Sequence, residues 1–194
     1  MQELLIYLYD TCCLSEVSII GWFLNHGEQL KVRSFALQKT EIVTLEGWHI
    51  TSDYSIDDID MNQDYLGLIF PGGVDIFLDP KLKELILNFD AQKKLIGAIC
   101  AGPTHLALAG LLSKYKYTTS LNPEHFKENK IEDPFPWDNF QSTRAFQDSH
   151  IITSTGVALM EFTDLVFNYL AIFDDVKERK EFQGMFTPNW NYSF

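Results

Sequence analysis

Three stretches of the chain carry residue types that covalent chemistry uses. In AICAGPTHLALAGLL, residues 98 to 112, Cys100 stands where the apolar run LIGAIC stops and a helix-compatible run begins after Gly102 and Pro103. Ala98 and Ala101 leave room around the sulfur, Gly102 permits a sharp turn, and Pro103 presets φ for a first helical turn. That pattern is a nucleophile elbow with cysteine in place of serine. A thiol at the positive end of a helix is expected to ionise easily, with a pKa of about 3.5–7.5 rather than about 8.5. Glu16, at the start of the first helical segment, is the carboxylate that can approach it, and two such groups in contact cannot both ionise, so one keeps a proton. Gly73, in the turn Pro71-Gly72-Gly73, and Ala101 can offer backbone N–H groups to a developing oxyanion. Most free cysteines are small packing residues, but packing alone does not ask for this strand-elbow-helix context.

The elements that must position these groups follow from the apolar pattern. LLIYLYD, LKVRSFALQ, YLGLIF, KKLIGAIC and HIITST predict strands, and IVTLEGWHI predicts a hairpin turning near Glu46 and Gly47. Helices are expected from Ser15, as N-cap, to about His26 with a stop at Gly27, from Pro80 through LKELILNF, after the elbow, and over Met160 to Phe173. YKYTTSL looks like a short strand, while SIDDIDMNQD and NPEHFKENKIEDPFPWDNF look like irregular connections. The aromatic group around Phe135, Pro136 and Trp137 suits a lid or a subunit contact. His26, His49 and His150 suit surface or helix-end positions. Strands that are apolar throughout, alternating with helices, indicate an α/β fold: a three-layer α/β/α sandwich around a mostly parallel, flavodoxin-like sheet. In such a sheet, ligands bind beyond the C-terminal ends of the strands. The loop after the first strand, the Pro71-Gly72-Gly73 turn and Cys100 all fall there and should crowd together.

With 194 residues the chain suits one domain, 1–194, whose tail from 174 to 194 has no clear pattern. A net charge of −12 with scattered basic residues argues against nucleic-acid binding. No apolar run reaches membrane-spanning length and no signal peptide is visible, so a cytoplasmic protein without membrane association is expected. Three cysteines fit a reducing compartment better than a disulfide framework, and adjacent Cys12 and Cys13 do not have zinc spacing. Neither a metal nor a cofactor is expected.

The combination of SEVSIIGWFL after the first strand, LIFPGG, AICAGPTHLALAGLL and ITSTG before the last long helix resembles the ThiJ/PfpI family of the class I glutamine amidotransferase-like superfamily, over roughly residues 3 to 173. The family includes intracellular proteases, glyoxalase- or deglycase-like proteins and oxidative-stress proteins. The resemblance implies Cys100 as nucleophile, Glu16 as the buried acid that contacts it, Gly73 and Ala101 as oxyanion-hole amides, and a homodimer. The chain departs from the family at the third partner. Where some members place a histidine directly after the cysteine it has Ala101, and where others place one after a Thr-Thr strand end it has Ser120. His105 and His125 are the nearest substitutes in sequence.

A cysteine-dependent hydrolase-like enzyme acting on a peptide or small-molecule substrate is the leading expectation, with peptide cleavage disfavoured by the missing histidines. A glyoxalase- or deglycase-like activity on reactive aldehydes is the alternative, with Cys100 forming a hemithioacetal and Glu16 moving the proton. From other classes come a stress sensor that works by Cys100 oxidation without turnover, and a catalytically silent domain kept for assembly.

Overall fold

The computed structural model describes residues 2–25 and 30–185, and the expectations for His26, Gly27 and the last residues of the tail lie outside them. The leading strand β1 (Gln2–Tyr7) runs into α1 (Ser15–Leu24) and returns as β2 (Leu30–Ala36). A separate antiparallel hairpin follows, β3 (Glu41–Val43) with β4 (His49–Thr51), turning through Gly47 at φ 81°. Then come β5 (Tyr54–Ser55), β6 (Gly67–Phe70), α2 (Pro80–Ala91), β7 (Leu95–Ile99), α3 (Pro103–Leu108) and α4 (Pro123–Asn129). The chain continues with β8 (Ala145–Asp148), β9 (Ile151–Ser154), α5 (Leu159–Tyr169) and α6 (Val176–Gly184).

Seven strands form one sheet in the order β5-β2-β1-β6-β7-β9-β8, parallel throughout except for the edge strand β8. Central strands β6, β7 and β9 are buried at every residue, which is why they appear in the sequence as unbroken apolar runs. The strand order reverses between β1 and β6. Right-handed crossovers leading away from that point in opposite directions put α1 on one face of the sheet and α2 on the other. On the first face α1, α5 and α6 join through the rings of Phe23, Phe167 and Phe182. Arg179 of α6 clamps Asp164 of α5 with two bonds of 2.9 and 2.8 Å.

Several short or polar elements differ from the sequence expectation. Ser15 is the first residue of α1 rather than its cap; the Leu14 and Ser15 N–H groups donate instead to the Glu46 carboxylate at 3.2 and 2.8 Å. The segment YKYTTSL makes only one bridge, Tyr117 to Phe140. The stretch expected to be irregular contains α4, whose N-cap Asn122 accepts from the His125 N–H. Phe135 is buried in a ring cluster with Tyr117, Phe126 and Trp137, so this aromatic group joins the main hydrophobic core and is not a lid. α6 occupies part of the unassigned tail, capped by Asp175. Strands β5 and β8 were not anticipated.

Two glycines let layers approach. A Cβ on Gly97 would lie 2.6 Å from Ile69 Cδ1 and 3.0 Å from the Phe162 ring of α5, and one on Gly67 would lie 2.5 Å from the Leu95 carbonyl oxygen. The second clash is with backbone of the neighbouring strand, which cannot yield. Gly67→Ala is therefore expected to lower stability by about 1–3 kcal/mol in chemical denaturation.

Candidate functional site

The elbow expected at Cys100 is present, but its left-handed residue is the cysteine itself, at φ 61°. For a residue with a Cβ that conformation costs on the order of 1–3 kcal/mol and needs outside support. Support comes from three bonds: the Cys100 N–H donates to the Ser154 carbonyl at 2.8 Å, and its carbonyl accepts from the Ser120 N–H at 3.0 Å and the Thr119 hydroxyl at 2.7 Å. Gly102 has an ordinary φ of −52°. It is required for another reason: a Cβ there would lie 2.4 Å from the Phe70 carbonyl oxygen.

Glu16 and Cys100 meet beyond the C-terminal ends of the strands. Glu16 is 7% exposed, and its carboxyl accepts the Gly72 N–H at 2.7 Å and contacts the Cys100 thiol. Loops after β1, β6, β7 and β9 close around the pair. A Cβ on Gly72 would lie 2.8 Å from Cys100 Cβ and from Glu16 Oε2, and one on Gly156 would lie 2.9 Å from Cys100 Sγ and from Glu16 Oε1. Sequence reasoning assigned nothing to Gly156; its place directly after the strand end ITST was the available signal. Further bonds fix the walls. The Tyr9 hydroxyl donates to the Pro71 carbonyl at 3.1 Å, the Cys13 N–H to the Gly72 carbonyl at 2.7 Å, and the Asp75 N–H to the Thr11 hydroxyl at 2.9 Å.

Ser120, in place of a family histidine, reaches the site. Its hydroxyl accepts the Gly156 N–H at 2.8 Å and bonds the Cys100 sulfur. The Ala101 N–H also faces that sulfur, and the Gly73 N–H has no protein acceptor among the described residues. Neither candidate histidine reaches the pair. His105 is 1% exposed beneath it, its ring packed edge-on against Tyr7 and Tyr9 and tilted on Phe70, with Nδ1 3.2 Å from the Gly102 carbonyl. His125 is exposed on α4, where its ring meets Phe126 and Asn129. His150 is not at the surface as expected: it is buried with Nε2 2.9 Å from Asp90 Oδ1, near the N-terminal ends of β7 and β9.

Electrostatics overturn the expectation of an easily ionised thiol. Burial, and then the charge of Glu16, push Cys100 up to about 11, against the opposing pull of the Ser120 hydroxyl and the Ala101 N–H. Burial also pushes Glu16 up, against the Gly72 N–H. The two therefore behave as one acid that keeps a proton through neutral pH. His105 is lowered to about 4 by burial. Among the described residues, no group of three or more His, Cys, Asp or Glu could hold a metal ion, and no helix is long and apolar enough to cross a membrane.

A sequence profile of the DJ-1/PfpI family matches residues 2–168. An uncharacterized protein of Methanocaldococcus jannaschii is 34% identical over 105 residues, 52% of this chain and 51% of that protein, so the match spans about half of its length. An uncharacterized protease of Bacillus subtilis, YoaZ, is 29% identical over 189 residues, covering 89% of this chain and 86% of that one. Among solved structures, a DJ-1 superfamily protein from Agrobacterium tumefaciens superposes with a TM-score of 0.80 at 20% identity, over 94% of this chain and 96% of that one.

Two outcomes follow from this geometry. Gly156→Ala places a methyl group against the sulfur and the carboxyl, and is expected to slow iodoacetamide labelling of Cys100 at least ~10-fold while costing about 1–3 kcal/mol of stability. His105 binds a proton more weakly folded than unfolded, so its contribution to stability is intact above the unfolded pKa and declines as pH falls through about 6.5 toward about 4. Between about pH 7 and about pH 5 it should remove ~2 kcal/mol, measured by denaturation at each pH, and His105→Gln should flatten that loss.

Proposed function

Because the chain belongs to the DJ-1/PfpI family, we propose that it is a cysteine-dependent, hydrolase-like enzyme whose nucleophile is Cys100 and whose substrates are small reactive aldehydes rather than peptides. One observation carries this reading: the Cys100 sulfur is met by a carboxyl, a hydroxyl and a backbone N–H, with neither His105 nor His125 in reach. Cleaving a peptide requires a proton delivered to the departing amine, the task that an imidazolium performs in cysteine and serine proteases. An aldehyde has no leaving group. Its attack needs only a sulfur anion, a cradle for the oxyanion and one mobile proton, and Glu16 with Cys100 holds one.

In the reacting state the proton sits on Glu16 and the charge on sulfur, eased by the Ser120 hydroxyl and the Ala101 N–H. The sulfur attacks the carbonyl carbon, forming the S–C bond as the C=O π pair moves to oxygen. The Gly73 and Ala101 N–H groups stabilise that oxygen. Glu16 then protonates it, giving a hemithioacetal and leaving a carboxylate that can move the C–H proton to the neighbouring carbon of a dicarbonyl while the hemithioacetal O–H proton passes to the neighbouring oxygen. The resulting thioester is released by water as a hydroxy acid. Gly72 and Gly156 pack so closely on the pair that a methyl group on either would strike it, a tight enclosure that favours small substrates. A cytoplasmic homodimer completes the reading, supported by the exposed Trp22 of α1 and Leu45 and Trp48 of the neighbouring hairpin.

The test is steady-state turnover of methylglyoxal and of a fluorogenic peptide. Wild-type protein should consume methylglyoxal and leave the peptide intact. Cys100→Ala should abolish turnover, Glu16→Gln should reduce kcat by about 10²–10⁴-fold, the range of a general acid–base group, and Ser120→Ala should have a smaller effect. Peptide cleavage dependent on Cys100, or aldehyde turnover that survives Cys100→Ala, would overturn the assignment.

A further inference from the structure

Cys13 has no part in the aldehyde reaction, yet it borders the same carboxyl as Cys100. Its N–H donates to the Gly72 carbonyl at 2.7 Å, the Gly72 N–H donates to Glu16 Oε2 at 2.7 Å, and a Cβ on Gly72 would lie 2.8 Å from Cys100 Cβ. The half-buried Cys13 thiol donates to Glu46 Oε1 at 3.5 Å and lies 3.3 Å from the Ser15 hydroxyl, close enough to Glu16 for the charge of that carboxyl to act on it. Two thiols thus flank one carboxyl, Glu16. The Ser15 and Leu14 N–H groups hold Glu46 in place through its carboxylate, so the Cys13 loop is braced from outside the pair. Cys12, by contrast, is fully buried and packed in the core.

The geometry points to Cys13 as a resolving thiol that captures an oxidised Cys100 as an intramolecular disulfide, so that hydroperoxides oxidise the site reversibly. This rests on Cys100 being the reactive thiol of the proposed function, but not on aldehyde turnover. In the first step the Cys100 sulfur anion attacks a peroxide oxygen. The S–O bond forms, the O–O bond breaks, and the departing alkoxide or hydroxide takes the Glu16 proton, leaving a sulfenic acid, an alcohol or water, and a Glu16 carboxylate. In the second step Glu16 accepts the Cys13 proton and the Cys13 sulfur attacks Cys100 Sγ. The S–S bond forms, the S–O bond breaks, and hydroxide leaves as water with the proton returned from Glu16. The peroxide is reduced by two electrons and the two thiols are oxidised by two.

The experiment treats the full chain with two equivalents of hydrogen peroxide, the amount that carries one thiol to sulfinic acid, blocks remaining thiols under denaturing conditions, and combines intact mass with peptide mapping. Wild-type protein should lose ~2 Da, lose two alkylatable thiols, yield a peptide pair joining residues 13 and 100, and recover fully with dithiothreitol. Cys13→Ser should instead gain ~32 Da at Cys100 as sulfinic acid that dithiothreitol does not reverse. Cys12→Ala should still form the 13–100 link. Sulfinic acid accumulating in wild type as fast as in Cys13→Ser, or a link formed through Cys12, would overturn the proposal while leaving the aldehyde reading intact. Disulfide formation without methylglyoxal turnover would uphold it and remove the aldehyde reading. An unoxidised Cys100 would overturn the proposal and leave the aldehyde reading to the turnover assay.

Discussion

A buried carboxyl holds the edge of this sheet together. Glu16 enters from the first helix, and its oxygens are enclosed by Gly72, Gly156 and Cys100, which arrive on three separate loops. Removing a carboxyl from water is costly unless something else satisfies it, and here the Gly72 N–H and the Cys100 thiol do so. The rest of the local structure accommodates that choice: glycines where a methyl group would strike the carboxyl, a cysteine held left-handed by three hydrogen bonds, and a Tyr9 hydroxyl anchoring the Pro71 turn.

The same enclosure explains why the thiol does not follow the simple helix-end argument. Helix α3 is six residues long, and its first-turn donors are already used: the Thr104 N–H goes to the Ala101 carbonyl and the His105 N–H to the Gly102 carbonyl. Only the Ala101 N–H is left to face the sulfur, and it competes with burial and a neighbouring negative charge. The site is consequently tuned by sharing a proton rather than by shedding one. Its reactivity depends on where that proton sits, which links nucleophile and acid in a single group.

Much of this was legible in the sequence because burial on both faces leaves an unmistakable mark. The runs LIF and LIGAI could only be central strands, and the strand ends then placed Glu16, the Pro71 turn and Cys100 on one edge. What escaped was short or polar. β5 has two residues and β8 is half-buried along its length, so neither shows a period. α4 begins with Asn122 and Pro123, a cap and first-turn pair that the following polar residues concealed. His150 shows the limit most clearly. Its position at a strand end suggested the surface, and the Asp90 whose carboxylate faces its ring lies sixty residues away with no spacing rule to connect them. At Ser120 the missing histidine is visible in the sequence, while only the fold shows the hydroxyl joining the Gly156 N–H to the sulfur.

Thiolate absorbance followed against pH, in wild type and in Glu16→Gln with Cys12 and Cys13 replaced in both, tests the shared proton most directly. If the carboxyl and the sulfur form one acid, the Cys100 midpoints of the two proteins will differ by about one pH unit or more. Coincident midpoints would mean that the two groups titrate independently, and would contradict the account.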